Sequence, residues 1–380
     1  MSCYLNNAAE GWPKAPGVIE AIADSLAAPC RESERDAGHT PGLVGTCRQR
    51  VAALLGTTDA TRVLFTLNAT HALNIAILGL PLREGSLVVT SSAAHNAVLR
   101  PLERLRRGTG ISLRIVRTNP AGGVDADDYA EALQCEPSLV VLGHRSNVTG
   151  HVEDIPVLFE QARAAGARTL LDAAQSVGHL DCRAGELHAD MIAFSGHKGL
   201  HGPPGVGVLY VAPGLELDQT IVGGTGSRSD LPAHPPEMPT RLEAGTPNLT
   251  GLAGLEAALA WHEQRGAEHR QRERAIALAL RDGLRGVPGL ALIPDDDRGG
   301  GIVSFRLEGW RPEELGHCLQ ESFGLICRSG LHCAPLIHQA MGTAPEGTVR
   351  FSVSGFTTER EIGETIDAVA RVSRCTSLSA

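Results

Sequence analysis

Short apolar segments alternate with amphipathic segments over residues 45–211 of the chain. The apolar segments are four to six residues long and rich in Val, Ile and Leu, which predicts β-strands. Longer segments such as Asn96–Arg107 and Ile155–Ala165 repeat with helical spacing. Seven strands are predicted, at Arg62–Thr66, Leu87–Thr90, Ser112–Val116, Leu139–Leu142, Thr169–Asp172, Met191–Phe194 and Val206–Val211. This alternation is typical of crossover units, so we predict an α/β protein whose mainly parallel central sheet is flanked by helices.

The pattern changes after the seventh strand. Residues Gly223–Pro247 are dense in Gly, Ser, Pro and Thr and predict a long surface loop. Two alanine-rich helical patterns and further strands follow, at Leu249–Glu263, Ala267–Leu284, Ile302–Arg306 and Val349–Val353, with a last helix near Glu359–Val372. We therefore predict a large domain over residues 14–250 and a smaller α+β domain formed by residues 1–13 and 251–380.

Composition and charge exclude several classes of protein. With 42% hydrophobic and 20% charged residues, the chain of 380 residues is too apolar to be disordered. Its 34 basic and 43 acidic residues give a net charge of −9, which argues against a nucleic-acid partner. The longest apolar stretch, Leu73–Leu82, is shorter than the roughly 20 residues of a membrane span and predicts a buried helix, so no membrane partner is expected.

The start of the sequence and its cysteines favour the cytoplasm. The residues after Met1 lack the basic and apolar regions of a secretory signal, so none is expected. The nine cysteines are an odd number without a C-x-x-C pair, which fits neither a disulfide framework nor a zinc ribbon.

Two charged side chains end neighbouring apolar strands. Lys198 follows Met191–Phe194 within Ser195-Gly196-His197-Lys198, and Asp172 ends the strand Thr169–Asp172. Ligands of α/β sheets bind at such strand ends. A lysine and a carboxylate there meet two needs of pyridoxal phosphate, a Schiff-base amine and a partner for the pyridine nitrogen. A simple Asp–Lys ion pair is the alternative that this spacing leaves open.

A turn after the first predicted strand could bind a phosphate. Asn68 can cap the helix that follows, which leaves backbone N–H groups available to an anion, and Thr70 adds a hydroxyl. Ser195 and His197, beside the lysine, offer a second set of contacts. An ordinary helix cap is the alternative.

Together these residues resemble the class V aminotransferase group of fold-type I pyridoxal-phosphate enzymes, and within it the group II cysteine desulfurases and selenocysteine lyases. The resemblance extends over nearly the whole chain. Its motifs occur in family order at Asn68–Asn74, Ala94–Asn96, Ser146–Gly150, Asp172–Ser176, Ser195–Lys198, Ala244–Asn248 and Arg328–Pro335.

The resemblance implies the cofactor pyridoxal 5'-phosphate and a role for each site residue. Lys198 would bind the cofactor covalently, Asp172 would pair with the pyridine nitrogen, and His95 would stack on the ring. The remaining cofactor contacts would be Gln175 and Asn147 on the ring-oxygen side and Thr70, Ser195 and His197 on the phosphate. Thr246 would join the phosphate from the other subunit, because this family shares its active sites across a homodimer.

The segment Cys327–His338 supplies the remaining predicted chemistry. Cys327, His332, Cys333 and His338 could be metal ligands, but their spacing fits no common zinc pattern and no metal is expected. The resemblance instead implies that Cys333 is the desulfurase nucleophile, with Arg328 beside it. A buried structural cysteine is the alternative.

Arg350 resembles the arginine that binds the substrate carboxylate in this family. A guanidinium group can bind a carboxylate through two parallel hydrogen bonds. A surface arginine at a strand edge is the alternative at this position.

We therefore expect a homodimeric lyase that removes sulfur from L-cysteine, gives L-alanine and leaves a persulfide on Cys333. A sulfur-acceptor protein or a thiol reductant would then take the sulfur. The alternative is a selenocysteine lyase or another C–S lyase of the same fold, acting on L-selenocysteine or a related amino acid without attack by Cys333. A scaffold or adaptor that binds the cofactor without turnover is the alternative from outside the enzymes.

Overall fold

A computed structural model describes residues 3–27, 29, 42–228, 230–295 and 300–375. Its strands are β1 Cys3–Tyr4, β2 Val63–Thr66, β3 Leu87–Ser91, β4 Ser112–Val116, β5 Leu139–Gly143, β6 Arg168–Asp172, β7 Met191–Ser195, β8 Gly207–Val211, β9 Leu290–Leu292, β10 Ile302–Leu307, β11 Leu325–Ile326, β12 Arg328–Gly330 and β13 Thr348–Ser352. Its α-helices are α1 Val18–Ala27, α2 Leu43–Leu54, α3 Ala69–Gly79, α4 Asn96–Gly108, α5 Ala126–Leu133, α6 Ile155–Ala164, α7 Leu249–Arg285, α8 Pro312–Phe323, α9 Pro335–Ala340 and α10 Glu359–Ser373.

The seven strands predicted between residues 62 and 211 form one sheet, in the order β2-β8-β7-β6-β5-β3-β4. Strands β4, β3, β5, β6 and β7 run parallel, whereas β8 is antiparallel to both of its neighbours. Buried side chains cover both faces: Phe159 and Phe194 belong to one core, and Leu73 and Leu102 to the other. The predicted α/β architecture is therefore confirmed. Apolar strands of a parallel sheet need packing on both faces, and the two cores provide it.

A second sheet of four antiparallel strands follows in the order β12-β13-β10-β9. Strand β1 lies near it and pairs in parallel with β11, which places the N-terminal residues beside the C-terminal part of the chain. This arrangement supports a smaller C-terminal unit that includes the first residues, while the boundaries at 13 and 250 stay predictions.

One helix, α7, replaces the two that were predicted at Leu249–Glu263 and Ala267–Leu284. The prediction of a break was wrong because Gly266 continues the helix. A glycine within a helix costs only about 1 kcal/mol relative to alanine, and burial along both halves of α7 outweighs that cost. Leu255 in the first half belongs to a core of the large sheet, and Leu280 in the second half belongs to the core of the small sheet.

The segment between β8 and α7 contains no helix or strand among its described residues, which agrees with the predicted loop at Gly223–Pro247. Leu73–Ile77 of the apolar stretch lie in the buried part of α3, as predicted, although this helix ends at Gly79. Within the described part of the chain, no helix combines the length and the apolar character that a membrane crossing requires.

Candidate active site

A cavity of about 270 Å³ opens at the carboxyl ends of the parallel strands. Strands β5, β6 and β7 end there, because parallel strands bring their carboxyl ends to one edge of the sheet. Eight predicted site residues line this cavity: Thr70, His95, Asn147, Asp172, Gln175, Ser195, His197 and Lys198. Residues that are up to 128 positions apart in sequence are thus brought together by the sheet.

Lys198 and Asp172 share the electrostatics of the cavity. Burial lowers the pKa of Lys198, Asp172 opposes this shift, and Arg350 and Arg328 add to it. The Asp172 carboxylate is oriented by the N–H of Ala174, which donates to its Oδ1 at 3.0 Å. An amine whose pKa is lowered is a better nucleophile at neutral pH, because more of it is unprotonated.

The turn between β2 and α3 forms the anion end of the cavity. Asn68 caps α3 by accepting from the N–H of His71 at 2.9 Å, and the N–H of Ala69 donates to Ser195 Oγ at 2.8 Å. Strand β8 approaches this turn so closely that a side chain at Gly207 would lie 2.5 Å from Asn68 backbone atoms. The cap, the hydroxyl of Ser195 and the start of α3 are therefore held in one place.

One buried ring nitrogen lies at this end of the cavity, and a second lies in the first turn of α3, outside the cavity lining. These nitrogens, His197 Nδ1 and His71 Nε2, have no hydrogen-bond partner among the residues that the structure describes. Burial and the adjacent Lys198 lower the pKa of His197 to about 4, so its ring is neutral at pH 7 and has a single N–H, for which the backbone of Ala9 is a competing partner. A phosphate would give the nitrogen at the cavity a partner, which is the test that the predicted cofactor meets here.

His95 occupies the N-cap of α4, where its Nδ1 accepts from the N–H of Ala97 at 3.0 Å. Burial lowers the pKa of His95, with Lys198 and Arg328 acting in the same direction against Asp172. The cap fixes the neutral ring in the cavity with its remaining nitrogen as the donor.

The two predicted amides are each anchored through one N–H. Gln175 Nε2 donates to Ala8 O, and Asn147 Nδ2 donates to His332 O, both at 2.7 Å. An amide nitrogen has two hydrogens, so each keeps one for a ligand oxygen.

The segment around Cys333 is a tight turn held from several sides. His332 and Cys333 have φ angles of 49° and 61°, in the left-handed region that side chains rarely adopt. The carbonyl of Cys333 accepts from the N–H of Asn96 at 2.8 Å, and His332 Nε2 lies 3.0 Å from Thr348 Oγ1. Together with the Asn147 contact, these bonds connect the turn to α4 and β13.

Arg328 places a cation at this turn, because its Nη2 lies 3.3 Å from Cys333 Sγ. Cys333 is partly exposed, unlike the buried Cys47 and Cys182. The buried structural cysteine that was the alternative is therefore not what the geometry favours at position 333.

Arg350 lies on β13 and is 1% exposed. Its Nη1 donates to Asn147 O at 2.8 Å and its Nη2 lies 3.3 Å from Asn6 Oδ1. Burial lowers the pKa of Arg350 to about 9, with Arg328 acting in the same direction, so it keeps its charge at neutral pH. A surface arginine, the alternative at this position, is not what the structure has.

Thr246 is exposed and does not line the cavity of its own chain. Arg145 and Glu153 do line it, although the sequence analysis did not single them out. They flank the predicted motif Ser146–Gly150, and that is the signal that could have identified them. Burial raises the pKa of Glu153 to about 7.

No group of three or more His, Cys, Asp or Glu side chains could hold a metal ion in the described ranges. The ring of His338 is engaged within its own segment, because its Nδ1 lies 2.7 Å from Thr343 Oγ1.

Comparisons with known proteins agree with this geometry. The family model described as aminotransferase class-V matches residues 3–364. A probable cysteine desulfurase of Methanothermobacter thermautotrophicus is 32% identical over 333 residues, which cover 85% of this chain and 82% of that protein. The apo structure of a cysteine desulfurase from Thermococcus onnurineus NA1 has a TM-score of 0.90 at 28% identity, covering 98% of this chain and 95% of that one. The cysteine desulfurase CsdA from Escherichia coli, in an S-sulfonic acid form, has a TM-score of 0.86 at 28% identity, covering 97% and 94%.

Proposed function

The chain belongs to the aminotransferase class-V family, and we propose that it is a pyridoxal-phosphate-dependent cysteine desulfurase. It would take sulfur from L-cysteine, release L-alanine and hold the sulfur as a persulfide on Cys333. The observation on which this rests is the partly exposed Cys333 thiol, 3.3 Å from Arg328, within electrostatic reach of Lys198. The relatives named cysteine desulfurase, at about one-third identity over most of the chain, support the same conclusion.

Each end of the cofactor has candidate partners in the cavity. Lys198 would bind its aldehyde, Asp172 its pyridine nitrogen, and the free N–H groups of Gln175 and Asn147 its ring oxygen. Thr70, Ser195 and His197 would contact the phosphate, and His95 would lie on the ring. When bound, pyridoxal phosphate supplies an electron sink for the carbon next to the substrate amine.

The protein's own groups would then move protons and sulfur. Lys198, once displaced by substrate, removes the Cα proton, which its lowered pKa favours. The Cys333 thiolate attacks the substrate sulfur, so that an S–S bond forms and the substrate Cβ–S bond breaks. The electron pair of the broken bond stays with the carbon skeleton, and Cβ takes up a proton to become the methyl group of alanine.

Arg350 is positioned to hold the substrate carboxylate. Its guanidinium is buried and charged, and its Nε atom has no partner among the described residues. A carboxylate would satisfy this donor and compensate the buried charge.

We also propose a homodimer with shared sites. Thr246 lies exposed in the segment that precedes α7, and exposed Ile221 and Val222 lie in the same segment. Exposed aliphatic side chains of this kind suit a protein interface. In a dimer, Thr246 would reach the phosphate of the partner subunit.

A reducing compartment such as the cytoplasm suits this chemistry, because the eight described cysteines are free thiols. An acceptor protein or a small thiol would then take the sulfur from Cys333.

Mass spectrometry of the protein after incubation with L-cysteine tests the proposal. We expect one added sulfur on the peptide that contains Cys333, and at least a hundredfold slower alanine release by Cys333→Ala, which loses the attacking group. Cys327→Ala is the matched control, because burial raises the pKa of this thiol to about 11 and it should not react.

Wild-type alanine release by Cys333→Ala would contradict the persulfide mechanism and favour direct elimination by a C–S lyase. Turnover of L-selenocysteine but not of L-cysteine by the wild type would instead identify a selenocysteine lyase.

A further inference from the structure

A buried carboxylate of α7 contacts the segments that follow β5 and β6 of the large sheet. Glu273 is 3% exposed, and its Oε2 lies 2.7 Å from His179 Nδ1. Its Oε1 lies 3.6 Å from Nη1 of Arg145, and Arg145 is also one of the residues that line the active-site cavity. Burial opposes ionisation of Glu273, but His179 and Arg145 outweigh it and lower its pKa to about 2. Glu273 is therefore a fixed negative charge.

His179, the partner of Glu273, also packs against the turn that contains Lys198. A side chain at Gly199 would lie 2.6 Å from the His179 ring and 2.4 Å from Val177 O. Gly178, with a φ of 90°, packs equally closely against the backbone of Gly199. The turn that follows Asp172 therefore packs directly against the turn that follows Lys198, and the His179 ring packs at the same place.

The opposite side of the lysine turn is closed by the N-terminal segment. The N–H of Gly11 donates to His197 O at 2.8 Å, and a side chain at Gly11 would lie 2.4 Å from Lys198 O.

We infer that Glu273 is a positioning residue for Lys198 and that it acts through the ring of His179 on Gly199. The contact holds the Lys198 backbone at a constant place relative to Asp172, so that the amine meets the Cα proton in one geometry. This role rests on the proposed function, because it assumes that Lys198 is the base.

Two variants separate positioning from support of the fold. Glu273→Gln keeps the shape and removes the charge. His179→Asn keeps an N–H for Glu273 but removes the ring atoms that contact Gly199. Glu263→Gln is the matched control, because Glu263 lies on the same helix and pairs with Arg50 at the surface.

The readout is exchange of the Cα hydrogen of L-alanine in D₂O, followed by NMR, because this step needs Lys198 but not Cys333. We expect both variants to exchange about ten- to a hundredfold more slowly, since small displacements of a reacting group cost rates of this order. The KM for L-cysteine should stay within about threefold of the wild type, because the substrate contacts are intact.

A second readout does not depend on turnover. The pH midpoint of the visible absorbance of the bound cofactor should shift in Glu273→Gln and His179→Asn, but not in Glu263→Gln, because the ionisation it reports depends on where the Lys198 nitrogen lies relative to Asp172.

If both variants exchange the Cα hydrogen at the wild-type rate and keep the wild-type absorbance midpoint, the inference is overturned. Glu273 would then only stabilise the fold, whether or not the melting temperature of the variants falls. A wild-type enzyme that exchanges alanine but forms none from L-cysteine would contradict the proposed function while leaving this inference intact.

Discussion

At the scale of single residues, Asp172 offers a sharp test of the cofactor assignment. Asp172→Asn should still bind pyridoxal phosphate, because the phosphate contacts and Lys198 are unchanged. Its alanine formation should fall about a hundredfold or more, because a neutral amide cannot keep a pyridine nitrogen protonated. Cofactor content by absorbance and alanine release measure the two effects.

Asp125→Asn is the control for that variant. Asp125 caps α5 by accepting from the N–H of Asp128, and asparagine caps a helix about as well as aspartate. Undiminished turnover in Asp172→Asn would show that this carboxylate has another role.

The sequence predicted the strand-end residues of the site but not their supports. Lys198 and Asp172 were recognisable because apolar strands precede them directly. Glu273 lies in a long helix among charged residues, and nothing local distinguishes it from its exposed neighbours. Its burial depends on His179 and Arg145, which are brought to it only by the packing of α7 on the large sheet.

At the scale of elements, α7 bears two buried histidines that should make the fold sensitive to acid. Burial lowers the pKa of His262 to about 3 and that of His269 to about 4. Burial also lowers the pKa of His201, which lies in a nearby turn, to about 3. Because an unfolded histidine has a pKa near 6.5, the unfolded state binds more protons than the folded state below that value. As the pH falls from 6 to 5, the free energy of unfolding should fall by about 1.4 kcal/mol per pH unit for each of these histidines, and for His262 and His201 this slope should continue to about pH 4.

His262→Leu should reduce this slope by one proton, as measured by urea unfolding at several pH values. The exposed His317 supplies the control variant His317→Leu, which should leave the slope unchanged. An equal slope in wild type and His262→Leu would mean that His262 is protonated in the folded state.

Elements with a strong period were predictable, and those defined by distant partners were not. Most strands of the large sheet were found because each is a short apolar run that is buried on both faces, whereas the edge strand β4 is largely exposed. Strands β1 and β11 have only two residues each, so pairing across the chain defines them rather than any local pattern. The prediction divided α7 into two helices because the local sequence around Gly266 does not reveal that each half of the helix packs against a hydrophobic core.

At the scale of the whole molecule, the shared-site dimer predicts recovery of activity on mixing two inactive variants. Lys198→Ala would lack the proposed base, and Thr246→Asp would place a negative charge where the phosphate of the partner subunit is proposed to bind. If the proposed dimer forms, co-expression gives heterodimers in which one site has both Lys198 and an intact Thr246. Random pairing then gives about a quarter of the wild-type activity.

Each variant expressed alone is the reference, and alanine release from L-cysteine is the measurement. Mixtures as inactive as the two parents would place Thr246 in the same chain as the Lys198 that it serves, whereas an active Thr246→Asp parent would place Thr246 outside the site.

The pairing of β1 with β11 determines when the protein can become functional during its synthesis. Cys3 pairs with Leu325, which a ribosome adds 322 residues later. At about 5–20 residues per second, this takes roughly 15–60 seconds. During that time the seven-stranded sheet can form, but Ala8 and Gly11 lack the anchor that holds them against Gln175 and the lysine turn. We therefore expect nascent chains to acquire pyridoxal phosphate only after β11 has been synthesised, so that the supply of the cofactor acts late in synthesis and not on the first folded strands.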